Sequence, residues 1–276
     1  MSISSTNNIK LGLRFIKDNF FGIWSMTLKV ILSALPLLIP LGVLMVTMLV
    51  PEKTLAANLS ALSAGDITIA ITVSLLLLAF PLLALSAMVV AIVRSIVFNE
   101  KLNTAIFSKL FDKKTVRVLA AILLIDLVIL ASVVIIIGIA LLLSVGSLFI
   151  PLSMNPMALM MPLFFTILVL IPVVTYLIVR FSLIPIGVAV GDIQSISEAL
   201  PKTNGHLWNV FKVLVLATLI SIGLQLIMEI PTLLLSEGNE IVTLIGITIM
   251  VVFLIIIVPI AQIGTTALSH LYKKIR

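Results

Sequence analysis

The sequence contains no cysteine and only two histidines in 276 residues. Disulfides, thiolate nucleophiles and sulfur-ligated metal sites are excluded at once, although the absence of cysteine does not identify a compartment. A catalytic zinc site typically needs three protein ligands at close quarters. His206 and His270, with no His-Glu-x-x-His helix, do not supply them. Neither a metal nor a cofactor is expected. Also missing are a Gly-x-Ser-x-Gly elbow for a nucleophilic serine and a Gly-rich phosphate loop ending in Lys-Ser or Lys-Thr. Asp192 and Glu198 lie in a polar loop and do not read as the carboxylate pair of acid–base catalysis. The expectation is a protein that is not an enzyme.

Charge is scarce as well. Asp, Glu, Lys and Arg make up 10% of the chain, against about 25% in an average soluble protein. Hydrophobic residues reach 62%, where roughly 45–50% is usual. With a mean hydropathy of +1.37 there is too little polar surface to cover a water-soluble globule. The chain reads as an integral membrane protein. Its formal net charge of +6 is not gathered in a basic domain with interleaved aromatics, so nucleic acid is not an expected partner.

A helix needs about 20 apolar residues to cross a hydrocarbon core of roughly 30 Å. Six stretches qualify: Val30–Val50, Ile67–Val93, Val118–Phe149, Met157–Val179, Val213–Leu235 and Ile241–Ser269. Transmembrane strands would instead alternate over segments of about ten residues. The expected fold is therefore all-α, a polytopic membrane protein with six transmembrane helices in one domain, 1–276. Val118–Phe149 would extend about 48 Å, so it must tilt, protrude or break, with Gly138 and Gly146 as the candidate bends. Pro81, Pro172 and Pro259 fall inside spans and should kink them. The first apolar stretch shows no convincing small-residue cleavage site, so it should remain as an anchor.

Orientation follows from the distribution of cations, since short loops rich in Lys and Arg stay in the cytoplasm. The N-terminal arm, the connections between spans two and three and between spans four and five, and the C-terminus hold every basic residue except Lys53. The other side carries Glu52, Asp66, Glu237 and Glu240. Both termini are expected in the cytoplasm. The same segments suggest an internal period near 92, because Lys17, Lys109 and Lys202 recur at that interval and the intraspan prolines nearly so. A threefold quasi-repeat of units 1–97, 98–191 and 192–276 would make each unit an amphipathic segment followed by a helical hairpin.

Two of those segments have readable faces. In the first, Ile9, Leu13, Ile16 and Phe20 form an apolar line beside Lys10, Arg14 and Lys17. In the second, Leu102, Ile106 and Leu110 line one face, with Lys109, Lys113 and Arg117 on another. Helices of this kind lie in the headgroup plane, their cations meeting anionic lipid at the cytoplasmic face. Lipid sensing, partner docking and ordinary juxtamembrane anchoring all remain open. Within the spans, Asp126 and Glu229 are the acids of interest, because a charge at mid-bilayer costs roughly 2.5–3.5 kcal/mol on insertion scales. Asp126 lies near the midplane of the third span. It serves either proton or cation coupling or a structural hydrogen bond between helices. Glu229 follows Gln225 by one turn on one face of the fifth span. Gly187 and Gly191 form a small-x-x-x-small match that permits close helix approach.

The stretch Arg180-Phe181-Ser182-Leu183-Ile184-Pro185, then Ser195-Ile196-Ser197-Glu198-Ala199-Leu200 and Asn204-Gly205-His206-Leu207-Trp208-Asn209-Val210-Phe211, carries the most distinctive text. It resembles the YciC-like bacterial membrane proteins and the related membrane domain found beside some glycerophosphodiester phosphodiesterases. In those families an arginine and a proline end one span, and a short SxxEAL helix and a Trp/Phe-rich entry lead into the next. The resemblance implies a multi-pass protein of the bacterial inner membrane with no established chemistry, serving envelope maintenance or a membrane-protein partner. No soluble catalytic domain of the phosphodiesterase kind accompanies it, so lipid-diester hydrolysis is not implied. The alternative the residues leave open is a small secondary transporter using Asp126. Oligomeric state is not legible in the sequence.

Overall fold

A computed structural model describes residues 4–49, 64–147, 157–193, 196–235 and 240–276. All regular structure among these residues is helical, because a backbone in hydrocarbon must satisfy its polar groups internally. In chain order the helices are α1 (Ser5–Asp18), α2 (Phe20–Leu49), α3 (Ala64–Phe98), α4 (Lys113–Ser147), α5 (Met157–Phe181), α6 (Ile184–Val190), α7 (Ile196–Asn204), α8 (Leu207–Leu235), α9 (Glu240–Ile260) and α10 (Ile263–Ile275). A single 3-10 turn, Phe107–Lys109, precedes α4.

Among the described residues five helical stretches are long and apolar enough to cross a membrane: Leu77–Phe98, Lys113–Ile139, Thr166–Val190, Leu207–Glu229 and Gly246–Ile275. α2 is 30 residues long, and its stretch Phe20–Pro36 is a shorter apolar run among the described residues. Consecutive long helices pack as pairs, α2 on α3, α4 on α5 and α8 on α9. The outer connections that carry Glu52, Lys53 and Glu237 lie outside the described residues.

Several spans differ in detail from their sequence-based limits. The expected helix Ile241–Ser269 is interrupted: α9 ends at Ile260 and α10 begins at Ile263. Pro259 has no amide hydrogen to continue the ladder, and the Gln262 amide donates instead to the Pro259 carbonyl at 3.1 Å. The long third span is not broken. α4 runs through Gly138 and Gly146 for 35 residues, about 52 Å. It starts earlier than expected, at Lys113.

The four basic segments of the chain meet at one end of the bundle. α1 lies along α10, and the Lys274 Nζ donates to Asn8 Oδ1 at 2.7 Å. Lys273 Nζ donates to the Ile96 carbonyl at 2.8 Å and to Asn99 Oδ1 at 2.7 Å. It thereby satisfies an orphan carbonyl at the C-terminus of α3, where a cation also complements the helix dipole. Asn99 (φ 57°) takes the left-handed conformation that stops α3. Arg276 reaches Asp192 at 2.7 Å, beyond the left-handed Gly191 that ends α6. Lys273, Lys274 and Arg276 thus knit the C-terminus to three other chain segments.

The core sits at this basic end. α3 is its hub, packed against α2, α4, α6 and α10. Ala84, Ala87, Met88, Ile92 and Val93 are buried, and the alanines let neighbouring helices approach closely. Leu183, Ile184, Val210, Val213, Ile263 and Leu271 complete it from α6, α8 and α10. Exposed Phe21, Phe107, Phe111 and Trp208 ring the same end, where aromatic side chains suit a membrane–water interface.

Candidate functional site

α4 places Asp126 at the centre of its apolar stretch Lys113–Ile139, in which no residue after Val118 is buried. Leu127, next to it, and Leu123, Leu130 and Val134, one and two turns away, are exposed with it. The wall is continuous because Leu, Ile and Val fill α4 on every side, so helix formation is insensitive to which face packs. Asp126 has no ion-pair partner among the described residues. Ser132, the nearest hydroxyl in sequence, is occupied: its Oγ donates to the Val128 carbonyl at 2.8 Å.

Gln225 and Glu229 do come together, as their one-turn spacing on α8 requires. They line a cavity of about 320 Å³ with Ser221, Leu224 and Met228 of α8 and with Ile257 and Ala261 across from them. Ser221 continues the polar stripe one turn back, and its Oγ donates to the Ala217 carbonyl at 3.0 Å. Thr232 Oγ1 donates to the Glu229 carbonyl at 2.6 Å, next to Pro231, which supplies no donor of its own. Both Gln225 and Glu229 are exposed, so the cavity opens sideways rather than enclosing them. Ser221 could have been found by extending the i, i+4 stripe. Ile257 and Ala261 could not, because they come from the following chain segment and meet α8 only through packing of the two.

Asp126 and Glu229 are not brought into one pocket. α4 packs on α3, α5 and α6, whereas α8 packs on α1, α5, α9 and α10. A second crevice, between α5 and α8, is lined by Thr175, Ile178, Phe211 and Thr218 and contains neither acid.

The basic candidates divide. Lys10, Arg14 and Lys17 project outward from α1, with Arg14 loosely paired to Asp18 at 3.8 Å. The buried face of α1 is Ser5, Asn8, Ile9, Gly12 and Ile16, seated against α10; Leu13, expected on the apolar face, is 38% exposed. In the second segment Ile106 and Leu110 are buried and Leu102 half-buried, as the spacing predicts. The segment is nevertheless irregular up to the 3-10 turn, not one amphipathic helix. Lys109, Lys113 and Arg117 are exposed. Gly187 is used within the chain: a Cβ there would lie 2.1 Å from Ile193 Cδ1 and 3.0 Å from Tyr272 Oη.

His206 and His270 are not neighbours in any group of three metal-binding side chains among the described residues. His270 meets the edge of Phe15, linking α10 to α1. Trp208 stacks on Phe211 and lies under the Lys212 ammonium, an interfacial arrangement. No protein-family model matches the chain, and neither does any curated protein or solved structure.

Proposed function

We propose that the chain is a non-catalytic multi-pass protein of the bacterial inner membrane, of the envelope-maintenance or membrane-partner kind that the YciC-like resemblance implies. In this reading it spans six times, α2 included, with both termini in the cytoplasm and three quasi-repeated hairpins. Gathering of the basic segments at one end supports the orientation, under the rule that keeps such segments cytoplasmic. Packing of α2/α3, α4/α5 and α8/α9 supports the hairpins.

The observation that carries the partner role is the exposure of Asp126 on an aliphatic wall. A carboxylate facing hydrocarbon costs roughly 2.5–3.5 kcal/mol, and a polar side chain on a facing transmembrane helix offsets part of that cost. The test uses photo-crosslinking side chains introduced at Leu127 and Leu130 in intact membranes. A discrete protein adduct that is lost in Asp126→Leu supports the reading. Adducts only with lipid, unchanged by that substitution, overturn it.

The second reading, a small secondary transporter, is favoured by the Gln225–Glu229 cavity beside the interrupted α9–α10 pair, since transporters build sites at broken helices. Its weakness is that Asp126 lies on a different wall. A pH-gradient-driven flux in proteoliposomes that vanishes in Asp126→Asn would establish it in place of the first.

A further inference from the structure

At the basic end a cavity of about 240 Å³ opens between the last turns of α3, the segment 99–112 and the first turn of α4. Its apolar side is Ala87, Val90 and Ala91; its rim carries Arg94, Lys101, Lys109 and Lys114. Arg94 is already engaged, donating to Glu100 Oε1 at 2.8 Å and lying over the Phe98 ring. The three lysines have no ion-pair partner among the described residues, and Asp112 is the one acid lining the cavity besides Glu100. The unpaired lining is thus positive.

A second observation is independent of charge. Thr115 forms part of the cavity wall and is 1% exposed, yet its Oγ1 has no hydrogen-bond partner among the described residues. A buried hydroxyl without a partner is unfavourable, and a bound acceptor would remove the defect. Thr115 also belongs to the first turn of a 35-residue helix. The first bond there is the Val116 amide to the Asp112 carbonyl at 3.0 Å. The amides of Lys113, Lys114 and Thr115 therefore precede the ladder, and such an end favours anions. Phe107 and Phe111, both exposed, are chain neighbours of the lining residues Ile106 and Asp112.

We infer that this cavity binds a phosphate group, carried by a lipid headgroup or by a small soluble phosphate ester. Lys101, Lys109 and Lys114 supply the charge, and the Thr115 hydroxyl a directed donor from within. At 240 Å³ the space is below the roughly 300–1,000 Å³ of drug-sized sites, which suits a phosphate with a short substituent. The inference goes beyond the proposed function, because it depends neither on a membrane partner nor on Asp126.

The test measures binding to the full chain in detergent by equilibrium dialysis with inorganic phosphate, and in nanodiscs with phosphatidic acid against diacylglycerol. Saturable binding to one or both phosphate probes is expected, with none to diacylglycerol. Saturation by inorganic phosphate assigns a soluble ester; saturation confined to phosphatidic acid assigns the headgroup. The double variant Lys101→Gln/Lys114→Gln should weaken binding at least about tenfold, the factor of one charge-assisted hydrogen bond. Thr115→Val, nearly isosteric, should weaken it several-fold while melting no lower than wild type. Lys10→Gln/Lys17→Gln on α1 should leave it unchanged. Absence of saturable binding in both arms overturns the inference. So does binding that survives Thr115→Val, which would reduce the site to surface attraction.

Discussion

At Gly12 α1 comes close to α10, and its replacement tests whether that docking holds the termini together. A Cβ at Gly12 would lie 2.8 Å from Thr266 Oγ1, 3.1 Å from the Ala267 nitrogen and 3.4 Å from the Ala267 Cα. Two of those neighbours are backbone of a buried helix, which cannot swing away as a side-chain tip would. For Gly12→Ala, overpacking of about 1–3 kcal/mol opposes a gain in helix propensity of about 1 kcal/mol. The net expectation is a loss of roughly 0–2 kcal/mol. Gly12→Leu cannot be seated at all, so α1 should leave α10. The cost is the burial of Ile9 and Ile16, about 1.5–3 kcal/mol each, together with the Lys274–Asn8 hydrogen bond. A 14-residue helix released from its support is marginal in water, and α1 carries Lys10, Arg14 and Lys17 on its exposed side. Limited trypsin digestion in detergent should cut the Leu variant there rapidly and leave wild type intact. Gly138→Leu, with nothing within 4 Å of its Cβ, serves as the control and should be neutral. A Leu variant as protease-resistant and heat-stable as wild type would refute the docking.

Reporter fusions after Val50, Ser153 and Gly238 should report the outside, and fusions after Lys114 and Arg276 the cytoplasm; a cytoplasmic signal at Ser153 breaks the six-span topology. Asp126→Asn should melt within about 1 kcal/mol of wild type in detergent, because Asp126 is exposed and has no ion pair to lose among the described residues, and substitutions at such positions usually change stability little. Gly187→Ala should destabilise by roughly 1–3 kcal/mol in thermal unfolding, since the new methyl drives into buried Ile193 against Tyr272.

Apolar run length located the five long apolar helices found among the described residues, because the bilayer sets a minimum length that few other folds imitate. Packing faces were less legible. The inward side of α1 is Ser5, Asn8 and Gly12 as much as Ile9 and Ile16, and hydrophobic periodicity does not register small or polar residues that fit a close crossing. Leu102, Ile106 and Leu110 keep helical spacing without a helix, since three well-spaced apolar side chains can be buried by an irregular segment tied down through Lys29 Nζ and the Thr104 carbonyl at 2.7 Å. Pro259 announced a disturbance in the last span, but the tertiary position of Ala261 against Ser221 was not written locally. The Gln225–Glu229 stripe was legible as a stripe and not as a cavity. The basic-end cavity joins Arg94, Lys101 and Thr115 across two helices and a loop, with no shared spacing that a linear reading could find.

Where the core lies follows from the medium each helix segment meets. Ala84 on α3 and Leu127 on α4 are each about 21 Å from the basic end of their helices, yet one is fully buried and the other 61% exposed. In water that difference would be costly for α4. In lipid it is nearly neutral, because hydrocarbon tails are as apolar as leucine and give no hydrophobic drive to bury it. The hydrophobic effect acts at the basic end, where charged segments require water or headgroups, and there the chain packs Ile23, Met26, Ile92 and Leu271 to near-complete burial. Along α4, exposure of an aliphatic side chain therefore carries no functional information. Exposure of a carboxylate on that same wall does, since lipid cannot solvate it and no neighbouring leucine can offset the cost. In the reading proposed above, that asymmetry singles out Asp126 more firmly than its position in the sequence does.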